Sequence, residues 1–120
     1  MTHRALFYAA YGWLLFGALV HFGVDVLAQY ARGRRAPSPE TTRYYGVHSA
    51  YALGQVLFAA LALVALCQGV SAVGRWPGLA LGFGAALAWL AVAVLFLDYW
   101  QPRMIVALFA ALLAGAALTA

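Results

Sequence analysis

Lysine is absent from this sequence, and acidic residues number three: Asp25, Glu40 and Asp98. Charged residues make up 8% of the 120 positions. A soluble domain carries about 25%, so this chain lacks the side chains to clothe a water-facing surface. Cysteine occurs once, as Cys67. That excludes an intrachain disulfide and any paired-thiol metal motif, and Cys67 reads as a small apolar filler near a helix end. There is no HExxH, no Walker-type glycine loop and no serine in a nucleophile-elbow context, so hydrolysis through those devices and ATP use are unsupported. The net charge is +4, carried by seven arginines. These flank apolar runs and form no basic stripe between aromatics, which excludes nucleic acid as a partner.

What is present is apolar: 67% of the residues are hydrophobic. Four runs stand out, Ala5–Ala28, Tyr44–Leu66, Pro77–Leu97 and Met104–Leu118. About 20 apolar residues cross a bilayer core. The first three runs meet this, and the fourth spans only where the bilayer thins. The first run is longer than the core of a cleavable signal peptide. The runs are rich in Ala and Leu and lack strict alternation, so strands are excluded. The expected fold is an all-α integral membrane protein, a four-transmembrane-helix antiparallel bundle. It forms one domain over residues 1–120, with helices at about 5–29, 39–68, 77–98 and 102–119.

The connections are polar. Residues 30–43, YARGRRAPSPETTR, form a basic loop that holds a helix start at Ser38-Pro39-Glu40: an N-cap, a proline in the first turn and an acid at the positive end of the dipole. Residues 67–78 hold three glycines and a proline, and residues 98–103, DYWQPR, make a tight turn with Pro102 opening the last helix. Five arginines (32, 34, 35, 43 and 103) lie on the side of the 30–43 loop and two (4 and 75) on the other. By the positive-inside rule this predicts a multi-pass protein of the cell inner membrane, with the loop cytoplasmic and both termini outside. Tyr30, Tyr44, Tyr45, Tyr99 and Trp100 then form the cytoplasmic aromatic belt.

Two polar stripes interrupt the apolar runs. On the first helix Trp13, Gly17, His21 and Asp25 recur every four residues, and on the second Tyr44, His48, Tyr51 and Gln55 recur at four, three and four. Both spacings keep one helical face. A loop centred near residue 37 sets Asp25 beside His48 to Tyr51 and His21 beside Tyr51 to Gln55. It offsets His21 from His48 by about 7 Å along the hairpin, which disfavours haem between them. Ionisable groups in a membrane segment are expensive and mark function. His21 with Asp25 one turn away is a proton-sharing pair, the carboxylate orienting the imidazole. The expected catalytic set is His21, Asp25 and His48. The expected ligand-binding set is Tyr44, Tyr51, Gln55, Trp89 and Asp98. The bland alternatives are hydrogen bonds that hold two helices together, an interfacial Asp98–Arg103 ion pair, and packing for Trp89. Three N/O donors with an open position also suit a catalytic zinc, although spacing alone assigns no metal and leaves the cofactor unknown. Gly78, Gly82 and Ala86, and Ala107, Ala111 and Gly115, form small-residue stripes that predict close helix packing within the bundle or between copies.

The stretch WLLFGALVHFGVD, residues 13–25, resembles membrane sterol isomerases of the emopamil-binding type in a glycine followed by a membrane histidine and an acid one turn later. The likeness covers one helix of four and implies acid–base chemistry on a lipophilic molecule. The expected function is therefore a small bundle that binds a lipophilic small molecule between the first two helices, near the cytoplasmic face, and converts it if acid–base chemistry operates there. The alternatives are an oligomeric proton- or cation-coupled transporter with Asp25 as its switch, and an accessory subunit without chemistry. Expected partners are a membrane lipid or lipophilic small molecule and further copies of the chain, as a homo-oligomer.

Overall fold

The computed structural model describes residues 2–120 and is helical throughout, with no strand among them. Four helices are long and apolar enough to cross a membrane: α1 (His3–Ala31), α2 (Pro39–Cys67), α3 (Trp76–Phe96) and α4 (Gln101–Leu118). A 3₁₀ turn, Ser71–Gly74, precedes α3. Local chemistry sets the helix ends. Ser38 caps α2 by accepting from the Thr41 amide at 3.1 Å, with Pro39 in the first turn. Two glycines with positive φ, Gly33 and Gly69, close α1 and α2. The amides of Gly33 and Arg34 return to the carbonyls of Tyr30 and Gln29, and those of Gly69 and Val70 to Leu66 and Ala65. This pairing is the Schellman motif, which needs a left-handed residue where glycine carries no Cβ penalty.

Within α1, residues Phe22–Ala28 form a π-helical segment. The residues buried on α1 step by four and three through Phe7, Tyr11, Leu14, Ala18 and His21, and the next is Val26. The π segment thus adds one residue to the repeat. Val26 takes the fully inward place, and Asp25 sits half-buried at the edge of that face.

Helix α1 packs against both α2 and α4, and α3 packs on α4. Tyr11 is the hub, with ring centroids 5.5 Å from Phe109 and 6.0 Å from Phe58. Two glycines permit the close approaches. A Cβ on Gly17 would lie 2.6 Å from Ile105, and one on Gly82 would lie 2.7 Å from Leu113. Trp13 locks the first of these by donating its indole N–H to the Ile105 carbonyl at 3.0 Å. The α4 small-residue stripe behaves differently: Ala107 and Ala111 face outward, while Val106, Phe109, Leu113 and Ala116 form the buried face. The reason is volume, since the space beside Gly17 and Gly82 on the facing helices is filled by large α4 side chains.

Helices α2 and α3 stand apart and meet chiefly through side chains, with Phe58 edge-on to Trp89 at 5.3 Å. Large apolar side chains point outward all round, among them Phe16, Val24, Leu57, Leu61, Leu87 and Leu95. Helices apolar on every face suit surroundings that are themselves apolar.

Candidate functional site

Both polar stripes converge at the end of the bundle that carries the 32–38 loop. On α1, His21 is buried, and its Nδ1 lies 3.1 Å from Asp25 Oδ2. On α2, His48 is buried, and its Nδ1 lies 3.1 Å from His21 Nε2, the two rings near-parallel with centroids 5.1 Å apart. The 7 Å offset expected from the sequence does not exist. Helix α1 ends at Ala31 and α2 begins at Pro39, so the connection is centred on residue 35 rather than 37. Residues 39–43, at the end of the polar 30–43 segment, form the first turn of α2. The shift brings the histidines level, and rings whose nitrogens touch leave no space for a haem between them.

Tyr99 completes the cluster from the α3–α4 turn. Its hydroxyl lies 3.4 Å from His21 Nδ1 and 3.3 Å from His48 Nδ1. Burial, then a hydrogen bond to Asp25 and its charge, hold the Tyr99 phenol far above its ordinary range, so it stays protonated and serves as a donor. His21 Nδ1 thus faces Asp25, and its Nε2 faces His48 Nδ1. Asp25 has no arginine partner, and the His21–Asp25 contact is the one close contact between a basic and an acidic side chain among the described residues.

Tyr44 stacks over His48 with centroids 4.0 Å apart. Its hydroxyl accepts from Gln29 at 3.1 Å, Gln29 accepts from Arg35 at 3.3 Å, and the Arg35 guanidinium lies 3.5 Å from the Tyr44 ring centroid. Tyr51 sets its ring edge against His21 at 5.3 Å and donates to the Pro102 carbonyl at 3.5 Å. Gln55 is buried one turn deeper, with its amide nitrogen unpartnered. Asp98 is exposed and lines the mouth of a cavity of about 330 Å³ with Asp25, Arg35, Tyr44, His48 and Tyr99. It forms no ion pair with Arg103. That guanidinium instead caps α3, donating to the carbonyls of Ala93 and Leu97. Trp89 stands outside the polar cluster. It lines a second, apolar cavity of about 360 Å³ in the gap between α2 and α3, with Val47, Ala50, Tyr51, Val92 and Phe96.

Sequence reasoning missed Tyr99, Arg35 and Gln29. Gln29 carried a signal, lying one turn past Asp25. Tyr99 and Arg35 sit in connections, and no helical spacing predicts where a turn folds back.

No protein-family model, curated protein or solved structure matches this chain.

Proposed function

We propose that the chain is a multi-pass inner-membrane protein, an antiparallel four-helix bundle that binds a lipophilic small molecule at the His21–Asp25–His48 cluster. The supporting observation is that the two cavities adjoin. The apolar gap between α2 and α3 and the polar cavity share Phe96 as a wall, and Tyr51 reaches from the apolar one to the ring of His21. Pockets for small molecules combine apolar walls with a few convergent polar groups. Here the apolar body of a ligand lies between α2 and α3, where the helices part toward lipid. Its polar end meets His48, Tyr99 and Asp25 and faces the cytoplasmic side.

The same groups suit acid–base work. His21 is the proton carrier, Asp25 its orienter and His48 the second acid or base, with Tyr99 a fixed donor beside both. The outward apolar surface and the outward-facing Ala107 and Ala111 fit a bundle that lies in lipid and meets further copies of itself.

Native mass spectrometry of protein extracted gently from its own membrane tests the reading. The wild type is expected to carry a lipophilic molecule that an Ala50→Trp variant, which fills the apolar gap, does not retain. Identical masses for both proteins would overturn it.

A further inference from the structure

We propose that His21, Asp25 and His48 hold a divalent transition-metal ion of the zinc class, which anchors the polar end of the ligand. This rests on the reading that the cluster is the polar end of a binding site, and it sets an ion where the shared proton would otherwise sit.

One donor atom from each of the three side chains can be chosen so that all lie within 4.8 Å of one another. Donors around a tetrahedral ion with bonds of 2.0–2.2 Å stand about 3.4 Å apart. The set therefore closes on an ion by side-chain rotation, with no helix movement. Two imidazoles and a carboxylate are the borderline donors such an ion selects.

Charge makes the second argument. Two imidazole nitrogens that face each other at 3.1 Å need either a hydrogen or a metal cation between them. Asp25 brings a negative charge to the other nitrogen of His21, and the guanidinium that lines the cavity, Arg35, is turned to Gln29 and the Tyr44 ring instead. A proton or a metal ion satisfies both needs, and a divalent ion also neutralises the carboxylate more fully.

The third argument is access. The cluster opens on the polar cavity, so a three-donor ion keeps its remaining position toward that space. This is the arrangement of catalytic rather than structural zinc. The Tyr99 hydroxyl, 3.3 Å from His48 Nδ1, is placed to hydrogen-bond whatever occupies that position. The π segment contributes too. It begins immediately after His21 and holds Asp25 beside the buried face, and such segments recur at functional sites.

The test is a Co²⁺ titration of the full-length, tag-free protein in detergent after chelator treatment. Cys67→Ser and His3→Ala remove the other soft donors. We expect one equivalent of Co²⁺ with the intense visible bands of four-coordination, displaced by Zn²⁺. His48→Gln should weaken binding at least 100-fold and Asp25→Asn at least 10-fold, with helical circular dichroism unchanged. Absent bands, or bands undiminished in both variants, would overturn the proposal. Should the variants misfold, X-ray absorption at the zinc edge of the wild type decides: a nitrogen/oxygen shell with two imidazoles supports the site, and a shell without imidazole removes it. Lipophile retention is measured separately on protein that has not been chelated. Retention without metal binding overturns the metal alone, and metal binding without retention overturns the lipophilic ligand alone.

Discussion

Asp25 reaches back 3.1 Å to His21 Nδ1 across the first turn of a π-helical segment, and His21 thereby presents its other nitrogen to His48. The carboxylate fixes which His21 nitrogen carries a proton. A ring without that partner can flip or change tautomer, so the alignment with His48 depends on Asp25.

Asp25→Asn keeps the shape but removes the charge. The amide can still accept from His21 Nδ1, but it no longer stabilises a positive species at the cluster. Ligand retention, read by native mass spectrometry, is expected to fall about tenfold with little change in Tm. That corresponds to roughly 1.4 kcal/mol. His21→Leu, which removes the ring, should lower retention further and leave Asp25 without its imidazole partner.

Ala50→Trp tests access from lipid. Ala50 is exposed and lines the apolar cavity, so a large ring there fills it without entering the core. Loss of the lipophilic ligand with unchanged thermal stability is the expected result, whereas the same ring at outward-facing Leu57 should change neither.

Gly82→Val tests the packing of α3 on α4. The new side chain would drive into Leu113 and toward the Tyr11 hydroxyl, and overpacking of this kind costs about 1–3 kcal/mol. A lower Tm in detergent is expected. Leu87→Val, on the outward face of α3, should leave Tm within a degree or so.

Tyr99 gives an alkaline limb to stability. Its folded-state pKa is raised above the unfolded value of about 10. Its contribution is therefore complete below pH 10 and is lost as pH rises above that value, because the unfolded chain ionises first. Tm measured from pH 8 to 11 should decline at the upper end in the wild type, and less steeply in Tyr99→Phe. Identical slopes would remove Tyr99 from the buried cluster.

The sequence by itself determined the helical class of the chain and the positions of its polar stripes. Scarcity of charge and the length of four apolar runs set helices long enough to cross a bilayer. Helical spacing put His21 and Asp25 on one face and His48, Tyr51 and Gln55 on another. These are local properties, readable one helix at a time. Only the tertiary structure decided how the faces meet. Helix α1 runs on to Ala31 and α2 opens at Pro39, five residues before the apolar run begins at residue 44, and that placement levels His21 with His48. The π segment moves Val26 inward and holds Asp25 at the edge of the buried face, although no single residue of FGVDVLA announces it. Tyr99 and Arg35 reach the cluster from connections. The gap between α2 and α3 exists because α1 and α4 occupy the centre. Each of these depends on contacts between residues far apart in the chain, where the energy of packing rather than the period of a helix chooses the outcome.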